Sequence, residues 1–197
     1  MRITMTSILF TLMIGLFACG SEDSSDVAFT QINPSEKVYT LEDLKSLGVK
    51  KGKTYKVKDL KEAESAYFVF YKKAGSKEAI EYEIRFYPNH DLAMSPGLDI
   101  AKERVGPDAK LKKDEATWAE GLKDARQCGG AGGGVSGGGV GAAGDHAVGS
   151  CSSPKYNEYF VIGNMIALCQ GENETESRIH CVDLLALIQG NEVEWFF

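Results

Sequence analysis

The chain has 197 residues, is 43% hydrophobic and carries a formal net charge of −6, from 22 basic and 28 acidic side chains. This length and hydrophobic content predict one globular domain with a core of its own. The negative charge argues against nucleic acid as a partner, because proteins that bind nucleic acid present a basic surface to its phosphates.

The first residues have the pattern of an export signal. Arg2 is followed by an uncharged, mostly apolar run over residues 3–18, which is shorter than the roughly 20 apolar residues of a membrane-spanning helix. The run ends in a motif that resembles the lipobox of the bacterial lipoproteins, Leu16-Phe17-Ala18-Cys19.

The resemblance implies that Cys19 carries a diacylglycerol and that residues 1–18 are a signal peptide removed from the mature protein. The lipid on Cys19 would then bind the membrane and hold an extracytoplasmic domain, at either the inner or the outer membrane. Residues 19–37 are polar enough to serve as a tether, and residues 38–197 would form the domain. The alternatives are an ordinary secretory signal, in which Cys19 is incidental, and a retained membrane anchor.

Seven lysines lie between Lys45 and Lys61. They indicate either a solvated surface or a patch that lies against anionic lipid headgroups, where each charge contributes about 1 kcal/mol. Residues 38–61 otherwise resemble a small cap. Within the cap, Leu41, Leu44 and Leu47 predict a short helix that Gly48 ends.

Two strands and a helix follow the cap. Residues 66–72 are aromatic and β-branched, and residues 81–87 alternate, with Tyr82, Ile84 and Phe86 on one face. A helix is expected from His90 to about Val105, capped by Asn89 and kinked near Pro96. A further helix is expected over residues 114–127, with one apolar side formed by Trp118, Leu122 and Ala125.

The same order of strand, strand and helix returns near the C-terminus. Residues 157–162 and 165–170 predict a hairpin closed by Gly163-Asn164, and a helix follows from about Thr175 to Gln189. Two tandem strand–strand–helix units predict an α+β fold: a four-stranded antiparallel sheet with helices on one face.

Four cysteines follow Cys19, and an even number in an exported protein indicates two disulfides: Cys128, Cys151, Cys169 and Cys181. Three pairings are possible. A helix that folds back on its own hairpin favours Cys169–Cys181, which leaves Cys128–Cys151 to close a glycine-rich loop at its base. Zinc is disfavoured because the chain has no Cys-x-x-Cys motif.

The loop between Cys128 and Cys151 has eleven glycines and includes GVGAAG at residues 139–144, a formal match to the dinucleotide fingerprint. That fingerprint requires a preceding strand and a following helix, and the sequence predicts neither here. No cofactor is therefore predicted.

The candidate ligand residues are His90, at the corner between a strand and a helix, and His146, in the loop beside Asp145. No histidine pair has the spacing of a metal site. The sequence thus predicts a non-enzymatic binding or envelope-assembly module with a protein or cell-wall partner. The alternatives are a solute or metal binder that uses the sheet face without helices, and a hydrolase at the His90 corner.

Overall fold

The computed structural model describes residues 29–127 and 152–190. Its strands are β1 Ile32–Asn33, β2 Lys50–Tyr55, β3 Ser65–Tyr71, β4 Ile80–Phe86, β5 Arg126–Gln127, β6 Ser153–Pro154, β7 Tyr156–Ile162 and β8 Met165–Gln170. Six of them form one sheet in the order β1-β7-β8-β4-β3-β2, and β5 pairs with β6 separately. The pair β1–β7 is parallel and the other neighbours are antiparallel.

The helices are α1 Leu41–Ser46, α2 His90–Leu92, α3 Leu98–Lys102 and α4 Glu174–Gln189, and a π-helical turn, Ala93–Gly97, joins α2 to α3. Local sequence explains where α1 and α4 begin. Thr40 and Asp43 form a reciprocal capping box at α1, and the Asn173 side chain accepts a hydrogen bond from the Glu176 amide at α4. Helix α4 ends at Gly190, whose positive φ closes the C-terminus.

The predicted fold class is wrong, because the sheet is mixed and has six strands instead of four. The predicted hairpins are present as β3–β4 and β7–β8, and they meet through the β4–β8 pair. Strands β1 and β2 extend the sheet at its two edges and were not predicted. Edge strands need little apolar sequence, and all five residues of β2 before Tyr55 are exposed.

The sheet is covered on both faces, which also corrects the expectation of helices on one face only. On one side, α1 and α4 pack against Tyr82, Ile84 and Phe86 of β4. On the other side, α3 and the turns after it pack against β7, β8 and Tyr87. The apolar run of β8 is buried almost throughout for this reason. The described residues of the three buried clusters lie between Phe29 and Ile188.

The helix expected from His90 to Val105 is interrupted. Ser95 has an extended backbone, with φ −151° and ψ 112°, and it precedes Pro96. The proline ring disfavours helical geometry in the residue before it, so the chain bends there and resumes as α3.

The helix expected over residues 114–127 does not form. The segment folds as turns and then enters β5, and Gly121 has a φ of +74°. Trp118, Leu122 and Ala125 are nevertheless buried. Their spacing therefore predicted correctly that these three residues are buried, but the segment that buries them consists of turns and not of a helix.

Candidate functional site

A buried group of three charges lies on the sheet face opposite α4. The alternation of β4 places Glu83 and Arg85 on this face, and Arg104 reaches them from the turn after α3. The exposed fractions of the three residues are 0%, 0% and 3%. Arg104 Nη1 lies 2.6 Å from Glu83 Oε2, and Arg85 Nε donates to Glu83 Oε1 at 2.8 Å. Two guanidinium groups therefore share one carboxylate, which leaves an excess positive charge inside the protein.

Trp118 packs against both guanidinium groups. The centre of its ring lies 4.5 Å from Arg104 Cζ and 4.9 Å from Arg85 Cζ, a cation–π arrangement. The indole N–H donates to the Lys56 carbonyl, and Arg104 Nη2 donates to the carbonyls of Trp118 and Glu120. These contacts fix the turn segment to the sheet without a helix.

The pKa of Glu83 follows from this arrangement. Burial alone raises the pKa of a carboxyl group, but Arg104 and Arg85 outweigh that effect, and the pKa of Glu83 lies below its ordinary value. Glu83 is therefore an ionised structural partner and not a proton donor.

Two tyrosine hydroxyls are buried beside this cluster. The Tyr87 hydroxyl interacts with the Arg85 guanidinium, and the Tyr156 hydroxyl has no hydrogen-bond partner among the described residues. Arg85 Nη2 lies 2.7 Å from Glu83 Oε1 but outside hydrogen-bonding geometry. Burial raises the pKa of both tyrosines, so the phenols stay neutral. Since these groups are buried, they form a polar foundation and are not a surface for a ligand.

A cleft of about 530 Å³ opens above this foundation, between β2 and the turns at residues 119–126. Its floor includes Tyr55, which is packed edge-on against Trp118, and Gly121. A Cβ atom at Gly121 would lie 3.0 Å from Tyr55 Cζ and 3.3 Å from Arg104 Nη1. The floor therefore requires glycine at this position both for space and for its positive φ.

The cleft is lined by more cationic than anionic side chains. The cationic ones are Lys53, Lys113, Lys123 and Arg126, and the anionic ones are Glu120 and Asp124. Asp124 is already engaged, because it pairs with Lys53 and accepts a hydrogen bond from the Tyr55 hydroxyl at 2.9 Å. Lys113 and Lys123 form no ion pair among the described residues. Their two ammonium groups line the cleft and are available to pair with an anion.

Two further groups set the chemistry of the cleft. The pKa of Tyr55 is raised, first by burial and then by the charges of Glu83 and Asp124, so its hydroxyl remains a hydrogen-bond donor. Arg126 donates to the Leu111 carbonyl through Nη2, while its Nε has no partner among the described residues. The lysine ammonium groups of the cleft can attract an anion and donate hydrogen bonds to it.

His90 is held in a structural contact. Its Nδ1 lies 2.8 Å from the Gly163 carbonyl, which joins the start of α2 to the β7–β8 turn. A second cleft of about 290 Å³ beside it contains Glu36, Lys37 and Asp91. Across residues 29–127 and 152–190, no three histidine, cysteine or carboxylate side chains form a group that suits a metal ion.

The remaining predicted site residues divide into two sets. Cys169 and Cys181 form the predicted disulfide, which joins β8 to α4 with its Cα atoms 5.5 Å apart. Cys19, Cys128, Cys151 and His146 lie outside the described residues. No helix in the described parts of the chain combines the length and apolar content that a membrane crossing requires.

Sequence reasoning missed both the cleft and the charge cluster below it. One signal was present, since Glu83 and Arg85 share a face of β4 two residues apart and have opposite charges. The partner of that pair is distant in sequence, because Arg104 lies 21 positions from Glu83. In the cleft, Lys53 and Asp124 are separated by 71 positions. No local pattern connects them.

Comparison with known proteins places the domain in a family. The model of a family of unknown function, DUF6810, matches residues 40–190. No curated protein and no solved structure shows significant similarity to the chain. Because the match spans the described domain and well over half of the chain, the protein belongs to the DUF6810 family.

Proposed function

We propose that this protein is a bacterial lipoprotein, anchored by a lipid on Cys19, whose extracytoplasmic domain is a non-enzymatic binding module for an anionic envelope partner. The lipobox-like residues before Cys19 support the anchor. The disulfide between Cys169 and Cys181 supports an oxidising compartment, because disulfides persist there and are rare in the cytoplasm.

The observation that carries the anionic partner is the cationic cleft between β2 and residues 119–126. Its volume of about 530 Å³ lies within the usual range of ligand sites. Lys53 neutralises Asp124, so this carboxylate does not cancel the charges of Lys113 and Lys123. The ligand class that fits is a carboxylate or phosphate group on a protein or a cell-wall polymer.

The foundation below the cleft supports binding in a second way. Arg104 fixes the Trp118 and Glu120 carbonyls, and the Tyr55 hydroxyl is fixed by Asp124. The floor is therefore ordered before a ligand arrives. A preorganised site loses less conformational entropy on binding than a flexible one.

The test is calorimetric titration of the chain beginning at Gly20 with poly-L-glutamate and with inorganic polyphosphate. We expect at least one probe to bind, and to bind more weakly as salt increases. The double variant Lys113→Gln/Lys123→Gln should bind about tenfold more weakly, which corresponds to about 1.4 kcal/mol. The matched control, Lys77→Gln/Lys102→Gln, removes the same charge from exposed positions outside the cleft and should bind like the parent.

Two results would contradict the proposal. One is that neither poly-L-glutamate nor polyphosphate binds to the parent protein. The other is an equal loss of affinity in the cleft variant and in the control, because that would trace binding to net charge instead of to the cleft.

A further inference from the structure

The outer edge of the sheet carries a concentration of lysines that the cleft does not explain. The lysine edge consists of β2 and the turn after it, and its six members are exposed: Lys50, Lys51, Lys53, Lys56, Lys58 and Lys61. Of these, only Lys53 forms an ion pair within the described residues. Asp59, Glu62 and Glu64 are exposed on the same turn, but residues 50–64 still carry six lysines against three carboxylates, so the lysine edge has an excess of positive charge.

Protection of the edge accounts for part of this pattern. In the described sheet β2 pairs only with β3, and lysines on an exposed edge discourage the addition of another strand. That explanation covers Lys50, Lys51 and Lys53. It does not cover Lys56, Lys58 and Lys61, because they follow the strand and protect no unpaired backbone.

The charge of the whole molecule makes the lysine edge distinctive. The chain has a net charge of −6, so an anionic surface repels the molecule as a whole. Attraction is concentrated where unpaired cations cluster, and the lysine edge is such a place. An anionic surface would therefore select one orientation of the domain.

The length of chain before the domain permits that orientation. Strand β1, where the described chain enters the sheet, lies at the edge opposite β2. Five inter-strand spacings of about 4.8 Å separate the two edges by about 24 Å. Fully extended, the residues from Cys19 to Gln31 span about 40 Å. A chain anchored at Cys19, as proposed above, can thus place the lysine edge on the membrane that anchors it.

We propose that the lysine edge lies against an anionic phospholipid surface. The interaction is electrostatic, with ammonium groups beside lipid phosphates, and it orients the domain. Each lysine within a Debye length of such a surface strengthens binding by about fivefold. The lipid on Cys19 supplies attachment in this arrangement, and the lysine edge supplies orientation.

The test uses the chain beginning at Gly20, which keeps the whole described core but has no lipid of its own. Its co-sedimentation with vesicles of phosphatidylglycerol and phosphatidylcholine is compared with that for vesicles of phosphatidylcholine alone. We expect binding only to the anionic vesicles, and less binding as salt increases. The triple variant Lys50→Gln/Lys51→Gln/Lys56→Gln should bind about 100-fold more weakly.

A matched variant controls for net charge. Lys77→Gln/Lys102→Gln/Lys112→Gln changes the charge equally on exposed residues outside the edge and should bind anionic vesicles like the parent. Circular dichroism of both variants verifies the fold. Equal loss in the two variants, or no binding of the parent to anionic vesicles, would overturn the proposal.

The outcome is separable from that of the proposed function. The lysine-edge variant keeps Lys53, Lys113 and Lys123, so its titration with poly-L-glutamate or polyphosphate should match that of the parent. Loss of vesicle binding with polyanion binding intact supports two separate surfaces. Loss of both in the lysine-edge variant would overturn the assignment of a distinct lipid surface.

Discussion

Arg104 Nη1 lies 2.6 Å from Glu83 Oε2, although the two residues are 21 positions apart and belong to different layers of the fold. This contact connects the interior of the sheet to the turns that form one wall of the cleft. The stability of the domain and the shape of its candidate site therefore depend on the same buried pair.

Replacing Glu83 with glutamine tests that dependence. The change leaves Arg85 and Arg104 buried without a counter-charge, and removal of one partner of a buried pair costs about 3–5 kcal/mol. We expect the free energy of unfolding, measured by urea denaturation, to fall by that amount. The control Glu64→Gln is exposed and should unfold like the parent. A parent-like Glu83→Gln protein would show that the cluster does not hold the fold.

The dependence of stability on acid pH should test the ionisation of the same carboxylate, that of Glu83. The pKa of Glu83 is lowered in the folded protein, so the ionised pair contributes stability at pH values above the ordinary pKa of a glutamate, about 4.3. That contribution is lost as the pH falls through the lower, folded pKa. Between pH 6 and about 3, the parent should lose more unfolding free energy than Glu83→Gln does. Parallel curves for the two proteins would contradict a lowered pKa.

Gly121 should tolerate substitution poorly for two separable reasons. Alanine at a positive φ costs about 1 kcal/mol or more, and the added Cβ would crowd Tyr55 and Arg104, at about 1–3 kcal/mol more. Gly75→Ala is a matched control, because its φ is +81° and nothing lies within 4 Å of the added atom. Thermal unfolding should rank the control above Gly121→Ala. Equal losses would mean that the floor of the cleft is loosely packed.

The disulfide should contribute measurably to stability. Cys169 and Cys181 are both buried and lie 12 positions apart. A closed loop of about this size is expected to stabilise a fold by about 3 kcal/mol. The double variant Cys169→Ala/Cys181→Ala should lose that amount in urea denaturation. Unchanged stability would show that the bond adds nothing to the fold.

Reduction of the same double variant tests the other predicted bridge. If Cys128 and Cys151 are joined, alkylation of the variant should modify two thiols only after reduction. Alkylation of those thiols without prior reduction would contradict the predicted pairing.

The sequence predicted local features more reliably than long-range ones. Helix α4 was predicted because Cys181, Leu184, Leu185 and Ile188 recur at helical spacing and form one apolar face. The β7–β8 hairpin was predicted because Gly163 and Asn164 form a recognisable two-residue turn. Each of these signals requires only neighbouring residues.

The wrong predictions concern which segment of the chain packs against each face or edge of the sheet. Alternation in β4 correctly separated Tyr82 from Glu83, but it carries no information about the layer above the charged face. Trp118 and Leu122 were correctly expected to be buried, yet turns and not a helix bury them. Strand β2 was missed because an exposed edge needs no apolar pattern. These features depend on contacts between distant segments.

Lipid attachment and both disulfides can be tested together by the intact mass of the protein isolated from the membrane fraction of its own host, before and after reduction with alkylation. We expect a chain that begins at Cys19, carries acyl mass and gains four alkyl groups only after reduction. A chain without lipid, or one whose thiols react before reduction, would contradict the anchored, extracytoplasmic binding module proposed here.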